Sequence, residues 1–171
     1  MAKQFIKPLK ITDDFYWVGV DGSSPAHLLV TDEGLVLIDT ASHTNVEEFL
    51  ANIASLGFDV RDVKHIIHSH GHYDHVGATS RIVKLSGAKT YIGARDADAV
   101  RGKNKRLWAS LSLPENASEF YFEPDVLLYD GDVLADNEGA ALIFIRYLLC
   151  AHEALQILLS TLLITIKNTI E

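Results

Sequence analysis

Three short apolar runs open the chain, at residues 15–20 (FYWVGV), 26–31 (AHLLVT) and 34–39 (GLVLID). Turn formers separate them, Asp21-Gly22-Ser23-Ser24-Pro25 and then Asp32-Glu33-Gly34, so the pattern predicts a β-meander. The spacing then changes. Between residues 45 and 56, Val46, Phe49, Leu50 and Ile53 fall on one stripe with Glu47, Glu48 and Asn52 off it, the period of an amphipathic helix, and Ser42 or Thr44 is placed to cap it. A short apolar run at 63–68 (VKHIIH) reads as a strand, 78–86 (ATSRIVKLS) as a helix and 89–92 (KTYI) as a further short strand. Strands that lead into alternating strands and helices predict an α/β (α+β) domain, with its sheet covered by helices.

The pattern breaks at Ala140. From there to Glu171 the only charged residues are Arg146, Glu153, Lys167 and Glu171, and the leucines and isoleucines follow no clean stripe. The expected organisation is therefore a domain over residues 1–139 and an atypical apolar, helical tail over 140–171. The longest uncharged run after Glu153, residues 154–166, contains Gln, Ser and Thr and falls short of the roughly 20 apolar residues of a membrane span. An apolar tail of this kind suits a partner helix, a buried helix of a rearranged core, or self-association.

Composition narrows the class. A chain of 171 residues that is 48% apolar and 22% charged fits one globular core. A formal net charge of −8 argues against nonspecific nucleic-acid binding, and the basic stretch Arg101-Gly102-Lys103-Asn104-Lys105-Arg106 reads as a solvated face. The single cysteine, Cys150, excludes an intramolecular disulfide and lies in an apolar run, as a packed thiol would. The first eight residues lack the apolar stretch of a signal peptide, so a cytoplasmic protein is expected.

The candidate chemistry is concentrated in one place. Five of the 8 histidines fall between residues 65 and 75, and His70-Gly71-His72-Tyr73-Asp74-His75 has the pattern H-x-H-x-D-H between a strand and a helix. Imidazole and carboxylate are the side chains that hold zinc and similar divalent ions. In an extended segment residues two apart share a side, so His70 and His72 are expected to grip one ion. Asp74 and His75 then face another direction and suit a second ion, roughly 3.5–4 Å away in two-metal sites. Gly71 and Gly77 allow the bends. Asp39 ends an apolar strand, where an unpaired carboxylate is costly to bury; it either fixes the metal loop or caps the next turn with Thr40 and Ser42. His68 reads as a strand-end histidine with a local partner, Tyr73 as a packing residue, and His27, His43 and His65 as structural or exposed.

With these residues the chain resembles the metallo-β-lactamase superfamily, whose hallmark (S/T)-H-x-H-x-D-H corresponds to Ser69 through His75. The likeness extends upstream to Gly34-Leu35-Val36-Leu37-Ile38-Asp39-Thr40 and Gly57-Phe58-Asp59-Val60, and downstream to Tyr129-Asp130-Gly131-Asp132, covering about residues 11–136. The S-H-x-H-Y-D-H form is most similar to the β-lactamase subclass that keeps both the Asp and the His of the second pair, although glyoxalase-II-like hydrolases and lactonases share the string. The resemblance implies an αββα sandwich, one or two zinc ions or another divalent metal, and hydrolysis of a small-molecule β-lactam, lactone, ester or thioester by hydroxide. It implies His70, His72, Asp74 and His75 as metal ligands, Asp74 also as the catalytic group that orients the nucleophile, and Asp39 as the group behind the loop.

The chain also departs from that family. It has no G-H-T-x-G segment, which would supply a third histidine; its only later histidine is His152, 82 positions after His70 and flanked by Ala151 and Glu153. No Asp follows Asp136, so no candidate stands for the last ligand of a second ion. A reading frame shifted near residue 140, or a truncated gene, would account for this, since Ala-His-Glu codons read one base later can encode His-Thr. Two function classes follow: a zinc-dependent hydrolase, or an inactive remnant or interaction domain that keeps the loop without a full metal shell.

Overall fold

The computed structural model describes residues 7–20, 24–103, 117–135 and 141–143. The chain divides into two compact units, Met1–Leu127 and Leu128–Glu171. The first is built on a seven-stranded sheet in simple sequence order: β1 (Leu9–Lys10), β2 (Phe15–Trp17), β3 (His27–Thr31), β4 (Gly34–Ile38), β5 (Val63–His68), β6 (Lys89–Gly93) and β7 (Val126–Leu128). β1 to β4 form the expected antiparallel meander, extended by one short edge strand. β4, β5 and β6 are parallel. Parallel neighbours need a crossover, and the chain supplies α1 (Val46–Ser55) between β4 and β5 and α3 (Thr79–Ser86) between β5 and β6. Two single helical turns, α2 (Tyr73–Val76) and α4 (Ala97–Val100), complete the described helices.

Register explains the core. Leu28 pairs with Leu37 and Leu37 with Ile66, so one row of side chains crosses three strands on one face. All three are fully buried, and they pack with Phe49 and Ile53 of α1 and Ile82 of α3. Burying side chains of this size stabilises by roughly 1.5–3 kcal/mol each. The next row is of opposite sense: His27 pairs with Ile38, Ile38 with Ile67 and Ile67 with Tyr91.

Most elements fall where the sequence places them, and the differences have local causes. α1 begins at Val46 because a 3₁₀ turn over His43–Asn45 precedes it, with the Ser42 hydroxyl accepting from the Thr44 amide at 3.4 Å. β2 stops at Trp17 rather than Val20; a Cβ at Gly19 would meet the Trp17 ring at 2.7 Å, so the chain bends tightly there. α3 ends on Gly87, whose φ of 71° closes the helix through a hydrogen bond to Val83 O. Of the second unit, β8 (Val133–Ala135) pairs antiparallel with β9 (Ala141–Ile143), and the Tyr129–Asp132 turn is closed by Tyr129 N donating to Asp132 Oδ2 at 2.8 Å. The expected boundary at 139/140, the apolar tail, Cys150 and His152 lie outside the described residues apart from the backbone of Ala141–Ile143. Among the described residues no helix is long and apolar enough to cross a membrane.

Gly77 joins α2 to α3 where no side chain fits: a Cβ there would collide with the backbone nitrogen of His43, Tyr73 O at 2.6 Å and Ser42 C at 2.9 Å. Backbone cannot swing aside as a side chain does. Gly77→Ala is expected to cost about 3 kcal/mol, read as a lowered urea midpoint; an unchanged midpoint would show that the α2–α3 junction is looser than described.

Candidate metal centre

The site starts from two adjacent strand ends. Because β4 and β5 are parallel, their C-terminal ends lie side by side, and Asp39 N donates to Ile67 O at 2.9 Å just past the sheet. Crevices outside the C-terminal ends of parallel strands are where open α/β sheets place ligands. Here they bring Asp39 beside the loop that begins at Ser69. Asp39 is the one non-glycine residue with positive φ among the described residues, at 60°. Asp tolerates this left-handed conformation better than most side chains, and it turns the carboxylate back toward β5.

Asp39 is buried and accepts three hydrogen bonds: from Ser69 N at 2.8 Å on Oδ1, and from Ser69 Oγ at 2.6 Å and His75 Nδ1 at 2.9 Å on Oδ2. Burial pushes its pKa up, but the neighbouring His75 and His68 imidazoles outweigh burial and hold the carboxyl well below the usual range. It is therefore an anion and can only accept. Of its two expected roles, fixing the loop is the one the contacts support; the following turn is capped by Ser42 instead.

Proton counting then assigns the rings. His75 must donate Nδ1–H to Asp39, so that in the neutral ring the lone pair is on Nε2. Ser69 gives its single hydroxyl proton to Asp39, so at its 3.0 Å contact with His70 Nδ1 the Ser69 oxygen accepts. His70 thus also carries its proton on Nδ1 and presents Nε2. One carboxylate sets both tautomers, directly for His75 and through Ser69 for His70. Carboxylate–histidine pairs do this behind metal ions.

The loop does not stay extended. After His72 the chain coils into α2, with His75 N and Val76 N donating to His72 O at 3.0 and 3.1 Å. The turn brings the His75 ring back onto His70, with centroids 4.0 Å apart, while His70 and His72 lie at 4.6 Å. The sequence pattern turns Asp74 and His75 another way, toward a second ion; the coil instead sets the His75 ring against His70. Asp74 Oδ2 lies 3.9 Å from His75 Nε2 and accepts from the Ser24 hydroxyl. His70, His72, Asp74 and His75 therefore gather at one loop. The donors are right in kind for zinc: His70 is neutral at pH 7, and the raised pKa of His75 means that a cation would have to displace a proton there. Among the described residues, no three His, Cys, Asp or Glu side chains converge closely enough to hold an ion by themselves.

The other histidines are accounted for by packing. His27 stacks on Phe15, His43 lies against Phe120, and His65 Nδ1 meets the Tyr91 hydroxyl at 3.0 Å. Tyr73 packs against the buried cluster that contains Val76 and Ile92. Of the basic stretch, Arg101 pairs with Glu123 and Asp98, and residues 104–106 lie outside the described residues. Ser24 escaped the sequence reading: a serine in a Ser-Ser-Pro turn carries no spacing signal that ties it to Asp74, 50 positions away.

The sequence profile of the metallo-beta-lactamase superfamily matches residues 19–148, a span that contains β3, β4, the loop and α3. The chain belongs to this superfamily. The anaerobic nitric oxide reductase flavorubredoxin of Salmonella arizonae is 31% identical over 126 residues, which is 73% of this chain and 23% of that protein. Among solved structures, BJP-1, a subclass B3 metallo-beta-lactamase of Bradyrhizobium japonicum, is 31% identical with a TM-score of 0.65, over 76% of this chain and 48% of that one. A metallo-beta-lactamase of Cronobacter sakazakii with a HARLDQ motif is 26% identical with a TM-score of 0.70, over 82% and 54%. This metallo-β-lactamase-superfamily chain spans about a quarter of the curated relative and about half of the solved ones.

Burial, reinforced by His75, lowers the His70 pKa to about 4, whereas that of His75 is raised, Asp39 overcoming its burial. Between pH 6.5 and 4 the unfolded chain binds a proton that folded His70 refuses, so stability falls on acidification through that window. The loss attributable to His70 is at most about 3 kcal/mol. The His75 contribution has the opposite sign and is lost as pH rises above 6.5. In the metal-free chain, denaturant midpoints should drop from pH 6.5 to 4, and His70→Asn should flatten that slope; an equal slope in both proteins would count against the buried neutral ring.

Proposed function

We propose that this chain is a metal-dependent hydrolase that uses His70, His72, Asp74 and His75 to hold zinc, one ion or two, and acts on a carbonyl substrate of the β-lactam, lactone, ester or thioester class. The observation that carries the reading is the shared anchor: Asp39 holds Nδ1 of His75 directly and Nδ1 of His70 through Ser69, so each neutral ring offers Nε2 to a cation, with the rings 4.0 Å apart and Asp74 beside them. A solvated histidine loop has no need of a buried anion that fixes two rings at once. When bound, zinc supplies a Lewis acid for the carbonyl oxygen and a water nucleophile at neutral pH.

The residues of the chain provide the rest. Asp39 keeps the His75 and His70 rings in one orientation without rearrangement during reaction, the preorganisation that makes electrostatic catalysis effective. Asp74 both ligates and accepts a hydrogen bond from the attacking water, which aims its oxygen at the carbonyl. Ser24 holds the Asp74 carboxylate by donating to Oδ2. With only these four donors at the loop, completion of the shell falls to His152 or to a second subunit, contacts through the apolar tail being one route. A small-molecule substrate in the cytoplasm belongs to the same reading. The relatives include β-lactamases and an anaerobic nitric oxide reductase flavorubredoxin, so the substrate is to be found by screening.

The competing reading, a chain that keeps the loop but no activity, draws on the lack of a three-ligand cluster among the described residues. Turnover separates them. The zinc-supplemented full chain is expected to hydrolyse at least one chromogenic ester, thioester, lactone or β-lactam probe, and His72→Ala or Asp74→Ala should lower kcat/KM by at least about a hundredfold, as loss of a major electrostatic contribution does. No turnover of any probe, or turnover that survives both substitutions, would favour the inactive chain.

A further inference from the structure

The sheet and α3 enclose a histidine that the proposed chemistry leaves unused. His68, the last residue of β5, is fully buried, and its two nitrogens keep different company. Nε2 lies 3.1 Å from Thr79 Oγ1. Nδ1 has no hydrogen-bond partner and stands 3.8 Å from Asp39 Oδ1, too long for a hydrogen bond. Thr79 Oγ1 is 3.2 Å from Thr40 Oγ1, and Thr40 Oγ1 is 3.0 Å from the carbonyl oxygen of His75.

Each hydroxyl has one proton, and that fixes the direction of the whole chain. A carbonyl only accepts, so Thr40 donates its proton to His75 O. At the next contact Thr40 accepts, and Thr79 donates to it. Thr79 then has no proton left for His68, so its oxygen accepts and His68 Nε2 must donate. The result is a circuit through the interior: the Asp39 carboxylate holds the ring of His75, and His68, through Thr79 and Thr40, holds its backbone carbonyl, which also accepts from Thr40 N at 2.7 Å.

We propose that His68 is a positioning residue for the metal loop, its Nε2–H relayed through Thr79 and Thr40 to the His75 carbonyl, so that His75 is fixed at backbone and ring together. The effect on zinc rests on the reading of the loop as a metal centre; the placement of the proton does not. A histidine that merely filled space would be replaced by leucine as well as by glutamine. A donor would be replaced by glutamine alone, whose amide reaches the position of Nε2.

Long-range ¹H–¹⁵N spectra of the metal-free full chain locate the proton: Nε2–H on His68 is expected, and a Nδ1–H tautomer overturns the proposal. Zinc affinity, read by competition with a chromogenic chelator, is expected to fall about tenfold in His68→Leu and in Thr79→Val, the range typical of groups behind metal ligands. His68→Gln is expected to stay within about threefold of the parent. Unchanged affinity in both His68→Leu and Thr79→Val, or equal losses in leucine and glutamine, overturns the proposal. If the parent chain takes up no zinc, the metal reading fails by itself. The His75 ring signals of metal-free Thr79→Val then decide: loss of a single Nδ1–H form supports the relay, and unchanged signals overturn it.

Discussion

A buried anion at the junction of two parallel strands organises this molecule. Asp39 lies where β4 ends against β5, and a carboxylate there is tolerated only because every oxygen is matched by donors from the neighbouring chain segment. The partners are not interchangeable. Ser69 opens the metal loop and His75 closes it, so the charge that must be neutralised for folding also fixes the loop at both ends. Thr40, the next residue, adds a grip on the His75 carbonyl through both its amide and its hydroxyl. Folding stability and the geometry of the candidate site are therefore two consequences of one arrangement.

The chemistry follows from the same proton inventory. An anion that can only accept forces Nδ1–H onto His75, and a serine whose proton is already committed forces Nδ1–H onto His70. In their neutral forms both rings then carry the lone pair on Nε2, the state a cation requires. Coiling of the loop into a helical turn at Tyr73 then sets the two rings against each other. Superfamily membership fits this arrangement.

Much of this was legible in the sequence, for identifiable reasons. β5 was readable to the residue because a six-residue run with Val63, Ile66 and Ile67, bounded by Asp59–Asp62 and the histidine cluster, has the length and β-branched content of a strand. The candidate ligands were readable because imidazole and carboxylate at fixed spacing have few other uses, and Asp39 stood out as a charge ending an apolar strand. Ser24, Thr40 and Thr79 were not readable in their roles. Hydroxyl residues carry no periodic signal, and their partners are set by the register of β4 on β5 and by the approach of α3. The contact of the His75 ring with His70 was not readable because it depends on the helical turn that begins at Tyr73, which a four-residue stretch does not announce by periodicity. His68 was readable as a strand-end histidine with a local partner, but the proton on its Nε2 emerges only when three hydrogen bonds are counted together.

Elemental analysis of the full chain, monodisperse and dialysed after zinc loading, tests the central claim most directly. At least one zinc per chain is the expected result, with retention lost in Asp39→Ala although all four loop residues remain. Zinc well below one per chain in the parent, or equal retention in Asp39→Ala, would contradict the claim that this buried carboxylate arms the loop for a metal.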